Sequence, residues 1–199
     1  MEIDYYYSVA SPFAYIGSSR FQDLAKKYKV KVNEKLIDLV GGVFPKTGGL
    51  PVPKRSPQRQ KYRLDELKRW GDYLNIKINL KPKFFPPKDP HLPARFTIAT
   101  VLSGKNLMFG HDCLKALWAN EIDISDIKFL KDLAFKHELD PEKILQMANS
   151  DSTKKLYFEN TKEAITKGVF GAPTYILQDE IFWGQDRIDF LERKLKKIS

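Results

Sequence analysis

Ser8-Val9-Ala10-Ser11-Pro12-Phe13-Ala14-Tyr15 joins two segments that differ in hydrophobic periodicity. The run before it, Ile3 to Tyr7, is dominated by aromatic and β-branched residues, which is typical of a strand. After it, apolar residues recur at helical spacing, at Ile16, Phe21, Leu24 and Tyr28. The stretch therefore predicts a strand that ends at Tyr7 and a helix that begins at Pro12.

Ser11 has two interpretations at this position. Serine is a favoured N-cap residue, and Pro12 suits the first helical position, where its missing N–H has no intrahelical partner anyway. On that view Ser11 only caps the helix. Alternatively, its hydroxyl lies beside unpaired N–H groups and the positive end of the helix dipole, a place that holds an anion well, including a thiolate. The octapeptide alone leaves both interpretations open.

Residues 30–37 alternate in character and predict a second strand, which returns parallel to the first after the intervening helix. The composition then changes, because eight Gly and Pro residues fall between Gly41 and Pro57 and predict a long loop. Loops of this length in compact proteins are often functional. Residues 2–38 are thus predicted to form a βαβ unit, which is followed by this long loop.

A block of helices is predicted after the loop. From Pro57 the spacing is helical, and we expect one broad apolar face formed by Tyr62, Leu64, Leu67, Trp70, Tyr73 and Leu74. A Pro-rich joint at 81–90 follows, with Phe84 and Phe85 expected in an exposed loop. Further helical patterns cover 91–103, 108–120, 126–138, 141–149 and 151–167. Ser125 and Asp140 are the predicted caps of the third and fourth.

After Gly168 the pattern returns to strands. Residues 174–177 and 180–183 predict a hairpin whose two-residue turn is Gln178-Asp179. Asp186 is the predicted cap of a terminal helix. The order βαβ, helices, ββα is that of an α/β thioredoxin fold with a large inserted helical subdomain, as in the DsbA branch. We expect a thioredoxin-like domain from 1–40 and 168–199, and an inserted loop and helical subdomain over 41–167.

Composition limits the function classes. The chain has 199 residues, 42% hydrophobic, enough for a globular core, and no apolar run long enough to cross a bilayer. A single cysteine, Cys113, excludes an intramolecular disulfide, and the first strand begins too early to leave room for a signal peptide. The net charge of +9 comes from lysines spread along helices, without a nucleic-acid-reading motif. We expect a cytoplasmic protein that binds neither nucleic acid, membrane nor metal.

Three motifs, in order along the whole chain, carry a resemblance to a known family. They are Ser11-Pro12-Phe13-Ala14-Tyr15 after Tyr5 to Tyr7, then Gly168-Val169-Phe170-Gly171-Ala172-Pro173-Thr174, and finally Phe182-Trp183-Gly184-Gln185-Asp186-Arg187. Together they closely resemble the 2-hydroxychromene-2-carboxylate isomerases and the kappa-class glutathione transferases. The resemblance implies glutathione as the cofactor, a small aromatic substrate and a homodimer.

The isomerase branch interconverts 2-hydroxychromene-2-carboxylate and trans-o-hydroxybenzylidenepyruvate in aromatic catabolism. The resemblance makes Ser11 the catalytic residue, at the place where thiol oxidoreductases have the first cysteine of CxxC. Neither Ser11 nor Ala14 is a cysteine, which excludes disulfide exchange by the protein's own thiols here. The SPFAY and FWGQDR sequences favour the isomerase branch. The alternatives are a kappa-type transferase or peroxidase and a non-catalytic thioredoxin-fold protein that binds a partner at the Pro173 edge.

The resemblance also implies the glutathione-binding residues. In this fold the proline matching Pro173 is cis, which presents the Ala172 backbone to the cysteinyl part of glutathione. Gln185 and Asp186 match the positions that bind the γ-glutamyl end. Arg59 stands for a lysine that would neutralise the glycine carboxylate. The family's loop asparagine is missing here, and Thr47 or Gly48 stands nearest to its place.

Overall fold

A computed structural model describes residues 1–105 and 107–198 of the chain. Its sheet has four strands, β1 (Glu2–Tyr7), β2 (Lys31–Leu36), β3 (Thr174–Leu177) and β4 (Glu180–Trp183), in the order β2-β1-β3-β4. β1 and β2 are parallel, whereas β3 is antiparallel to both β1 and β4. Helix α1 (Pro12–Lys27) connects β1 to β2. The predicted thioredoxin fold is therefore confirmed.

All the other helices but one lie between β2 and β3. They are α2 (Phe44–Thr47), α3 (Pro57–Leu74), α4 (His91–Leu102), α5 (Met108–Asn120), α6 (Ile127–Lys136), α7 (Pro141–Asn149) and α8 (Asp151–Thr166), and α9 (Ile188–Ile198) ends the chain. The expected loop at 41–57 is partly helical, because short turns at Leu39–Val43 and Val52–Lys54 flank α2. Asp38 begins the first turn by accepting a hydrogen bond from the Gly41 N–H at 2.9 Å. None of the described helices combines the length and apolar character of a transmembrane span.

The alternation of side chains along β1 separates two cores. Tyr5 and Tyr7 belong to the main core, which joins the sheet and α1 to helices of the insertion, while Tyr6 faces a smaller core beside α8. Successive side chains of a strand point to opposite faces, so three consecutive tyrosines can all be buried. The main core crosses the expected boundary between the thioredoxin-like part and the helical subdomain, and that division stays a prediction.

The predicted caps are confirmed in two of four cases. Ser11 and Asp140 accept hydrogen bonds from the first turns of their helices. The cap of α6 is Asp126 rather than Ser125, because the Ser125 hydroxyl bonds to the Asp89 backbone instead. Asp186 lies inside a 3₁₀ turn, Gln185–Arg187, that precedes α9, and no capping hydrogen bond involves its carboxylate among the described residues.

The expected apolar face of α3 is confirmed in part. Leu67 is buried and Trp70 and Leu74 pack against the main core, but Tyr62 and Tyr73 are exposed. Gly71 leaves room for the segment that follows α3, which packs back on the helix: a Cβ at Gly71 would lie 2.7 Å from the Ile78 side chain. Phe84 and Phe85, expected to be exposed, are half-buried against the main core.

Candidate active site

Ser11 lies at the N-cap of α1, beyond the carboxyl end of β1. Its Oγ accepts a hydrogen bond from the Ala14 N–H at 3.2 Å and donates one to the Ala172 carbonyl at 3.3 Å. The side chain is buried, and the first turn of α1 contains no acidic residue. The positive end of the α1 dipole is therefore not neutralised by a neighbouring carboxylate in that turn, and an anion placed beside Ser11 would be stabilised.

The Ala172-Pro173 segment lies directly against Ser11. Its peptide bond is cis, as the resemblance implied. The Pro173 carbonyl accepts a hydrogen bond from the Gly184 N–H at 2.9 Å, which ties the segment to the end of β4. The Ala172 N–H has no acceptor in the part of the chain that the structure describes. That donor is therefore free to pair with the main chain of an extended ligand, as an added strand would.

Gln185 and Asp186 occupy different environments. Gln185 is buried against α1, and its side-chain oxygen accepts a hydrogen bond from Arg20 at 3.3 Å. Asp186 keeps a partly exposed carboxylate whose ion pair, with Arg187 at 3.0 Å, is also partly exposed. An exposed pair of this kind contributes little and is easily exchanged. Asp186 can thus turn to a ligand ammonium group, whereas Gln185 mainly fixes the start of the last helix on α1.

Arg59 is exposed in the first turn of α3. No hydrogen bond or ion pair within the described residues joins it to Ser11, Ala172 or Asp186. Near the place of the missing asparagine, the Thr47 hydroxyl bonds to the Val43 carbonyl at 2.9 Å, and Gly48 ends α2 in the left-handed conformation. The structure therefore brings Ser11, Ala172 and Pro173 together, while the place of Arg59 in the site stays a prediction.

Sequence reasoning missed a group of polar residues behind α1. The Ser18 hydroxyl lies 2.7 Å from His111 Nδ1, and the Tyr15 hydroxyl donates to the Lys77 carbonyl at 2.9 Å. Burial lowers the pKa of His111, so its ring is neutral at pH 7. His111 follows a left-handed Leu107 at the start of α5, and no local sequence signal marks it. These contacts fix α1 on the helical insertion.

Arg55 and Arg63, each four residues from the predicted Arg59, are the second missed feature. Arg55, Arg59 and Arg63 recur every four residues, and Arg63 is buried. Burial and the charge of Arg59 lower the pKa of Arg55, and burial and the charge of Arg55 lower the pKa of Arg63 to about 10. With a pKa of about 10, Arg63 remains protonated at neutral pH. Arg59 and Arg63 lie on α3, whereas Arg55 precedes the helix in an extended conformation, so the spacing of four did not mark Arg63 in the sequence.

The geometry defines a class of protein. This class has a thioredoxin fold with a helical insertion, and the N-terminus of α1 carries a serine where thiol oxidoreductases have a redox cysteine. The model of the DSBA-like thioredoxin domain matches residues 2–196, and the chain belongs to this family.

Individual relatives agree with this assignment over the whole chain. A 2-hydroxychromene-2-carboxylate isomerase from Pseudomonas sp. (strain C18) is 30% identical over 96% of this chain and 88% of its own length. Glutathione S-transferase kappa 1 from Caenorhabditis elegans is 26% identical over 98% and 91%. A solved 2-hydroxychromene-2-carboxylate isomerase superposes with a TM-score of 0.83 at 25% identity, covering 100% of this chain and 96% of the other. The predicted resemblance is confirmed, and so is the expectation of an enzyme of this kind.

Proposed function

We propose that this protein is a glutathione-dependent isomerase that interconverts 2-hydroxychromene-2-carboxylate and trans-o-hydroxybenzylidenepyruvate. The observation that carries the proposal is the Ser11 hydroxyl, held at the N-terminus of α1 and 3.3 Å from the Ala172 carbonyl, in a turn that has no thiol at either Ser11 or Ala14. The names of its full-length relatives support the same reaction. The sulfur for catalysis therefore comes from glutathione.

Glutathione would bind along the edge that Ala172 and Pro173 form. The free Ala172 N–H and its carbonyl suit the cysteinyl backbone, which places the sulfur beside Ser11. Gln185 and Asp186 would bind the γ-glutamyl end, with the Asp186 carboxylate taking the ammonium group. Arg59 reaches the glycine carboxylate from the loop side, and a guanidinium suits a bidentate contact.

Ser11 would act by stabilising the ionised sulfur. A free thiol has a pKa of about 8.5. A charge-assisted hydrogen bond from the hydroxyl, together with the helix N-terminus, is of the size needed to lower the pKa of bound glutathione to about 7. Thiolate is then a major form at neutral pH. The active nucleophile is thus prepared without a general base.

The reaction then follows as covalent catalysis by the cofactor. When bound, glutathione would supply a thiolate able to add reversibly to the conjugated double bond of the ring-opened substrate, which would then be free to rotate before the thiolate leaves. Ser11 would keep that sulfur ionised, and the Ala172 backbone would orient it toward the substrate. No atom is gained or lost by the substrate.

Kappa-type transferase or peroxidase activity is the second candidate, favoured by the kappa-class relative that matches end to end. It would use the same thiolate and differ only in the substrate pocket. The homodimer and the small aromatic substrate that the resemblance implies stay predictions.

Ultraviolet spectroscopy separates the candidates. We expect purified protein to convert 2-hydroxychromene-2-carboxylate only when glutathione is present, and the Ser11→Ala variant to lose most of that turnover. Conversion of 1-chloro-2,4-dinitrobenzene without isomerisation would favour the transferase. If calorimetry shows no glutathione binding, both enzymes are excluded and the non-catalytic binding protein remains.

A further inference from the structure

Arg63 is a buried cation without an anionic partner. Its side chain lies on the inner face of α3, and the residue is only 8% exposed. No carboxylate comes within 4.0 Å of it in residues 1–105 and 107–198, and its buried Nη2 has no hydrogen-bond acceptor there. Buried charges in proteins are normally paired, because an unpaired one costs several kcal/mol of desolvation. An unpaired guanidinium at this depth is therefore unusual for a purely structural residue.

The immediate neighbours of Arg63 are aromatic. Its guanidinium carbon lies 5.4 Å from the centre of the Phe85 ring and 5.5 Å from that of the Trp118 ring, and the two rings are themselves 4.8 Å apart. Arg55 adds a second positive charge close enough to lower the pKa of Arg63. The surroundings thus combine two cations with aromatic walls that stabilise a cation only modestly, and no carboxylate among the described residues pairs with Arg63.

Helix geometry places this cluster at the level of Ser11. The Gln22 side chain bonds to the Leu107 carbonyl, and the Ser18 hydroxyl bonds to His111, so α5 runs antiparallel to α1. Continuing seven residues along each helix, about 10 Å at 1.5 Å per residue, brings Trp118 level with Ser11. Arg63 therefore lies at the same end of α1 as the proposed thiolate.

The segment after α3 joins the cluster to α1 directly. The Trp118 carbonyl accepts a hydrogen bond from the Asn79 N–H at 2.7 Å, and the Lys77 carbonyl accepts one from Tyr15, one turn after Ser11. Phe85 lies in the continuation of the same segment. The position of the cluster relative to α1 is thus fixed by two hydrogen bonds.

We propose that Arg63, assisted by Arg55, binds the carboxylate of an aromatic carboxylate substrate at the end of α1 where Ser11 lies. The proposal rests on the proposed function for the position of the reacting thiolate. A guanidinium matches a carboxylate bidentately, and the half-buried Phe85 offers an aromatic face for a conjugated ring, whereas the fully buried Trp118 supports the cluster from inside. Arg59 is exposed and suits the glycine carboxylate of glutathione, so Arg63 is left for the second substrate. Arg63 is thereby a specificity-determining residue.

Binding of trans-2-hydroxycinnamate and of its uncharged amide tests the proposal by calorimetry, without glutathione. We expect Arg63→Met to weaken binding of the carboxylate at least tenfold and to leave the amide unaffected. Arg63→Lys keeps the positive charge but not the two-pronged guanidinium, so it should weaken carboxylate binding less than Arg63→Met does. The matched control is Arg69→Met, on the same helix, because Arg69 is exposed and paired with Glu66. Glutathione affinity should stay the same in all three variants.

Equal carboxylate affinity in Arg63→Met and the wild type would overturn the proposal, and so would a wild type that does not discriminate between acid and amide. If Arg63→Met does not fold, Arg55→Met, expected to weaken the carboxylate about threefold or more, decides in its place. The proposed function is tested separately. If the protein binds the carboxylate through Arg63 but does not bind glutathione, this inference stands and the isomerase function is excluded.

Discussion

Glu34 is expected to make the stability of the protein depend on pH near neutrality. It lies on β2 but is only 7% exposed, and its carboxylate accepts hydrogen bonds from the Tyr7 hydroxyl at 2.5 Å and from the Leu107 N–H at 2.6 Å. These two donors favour the charged form. Burial outweighs them and raises the pKa of Glu34 from 4.5 to about 7.

The sign and size of the effect follow from linkage. Below pH 4.5 the group is protonated in both the folded and the unfolded chain. Between pH 4.5 and 7 the unfolded chain releases the proton that the folded chain still holds, so the free energy of unfolding falls as pH rises. Above pH 7 Glu34 is ionised in both the folded and the unfolded chain, and the free energy of unfolding falls no further. A pKa difference of this size corresponds to about 3 kcal/mol.

Urea denaturation of the wild type and of Glu34→Gln between pH 4.5 and 8.5 measures this effect. A neutral glutamine can accept from Leu107 and donate to Tyr7, so the variant should lack this pH dependence. We expect the wild type to lose about 3 kcal/mol relative to the variant across the window. Glu159→Gln, at an exposed position on α8, is the control and should parallel the wild type. A wild-type-minus-variant difference that stays constant with pH would refute the reasoning.

Three further predictions concern the edge of the candidate site and the core. Ser11→Ala should keep the fold, losing about 1 kcal/mol of stability with the cap, while turnover falls about 100-fold, as measured by urea denaturation and by the spectroscopic assay; full turnover would exclude the role of Ser11. Gly171→Ala should lose roughly 1–3 kcal/mol, because a Cβ there overlaps the Trp183 indole; an unchanged urea midpoint would contradict this. Cys113 should resist iodoacetamide until the protein unfolds, since burial raises the pKa of its thiol; rapid labelling of the folded protein, followed by mass spectrometry, would disprove it.

Local periodicity was enough to predict the sheet and most helix boundaries. The change from period two to period 3.6 at Ser11 marked both β1 and α1, and the Gln178-Asp179 turn adopts the two positive φ angles that a tight hairpin requires. Faces were harder to predict. Leu67, Trp70 and Leu74 do face the core, but Tyr62 and Tyr73 fit the same spacing and are exposed, because burial depends on what packs on α3, which includes α1 and the segment after the helix. Spacing alone carries no such information.

The functional residues likewise differ in how far the sequence could predict them. Ser11 and Pro173 were predictable because an N-cap and a motif are local, and the resemblance supplied what spacing did not. Glu34 was missed because its burial depends on Tyr7 and on Leu107, which is far away in the sequence. Arg63 was missed for the same reason, because its two aromatic neighbours come from different elements.

The hydrogen bonds of Ser11 explain why the site would select a thiolate over a thiol. In the structure the hydroxyl gives its proton to the Ala172 carbonyl over 3.3 Å, a long distance for an O–H donor. Turning that proton to a thiolate exchanges a weak neutral bond for a charge-assisted one, while the Ala14 N–H still bonds to Oγ. A neutral thiol offers no such gain. Each step of about 1.4 kcal/mol by which the site favours the thiolate would lower the pKa of the bound sulfur by one. Under the proposed function, a modest preference at one hydroxyl would therefore be enough to ionise glutathione near pH 7.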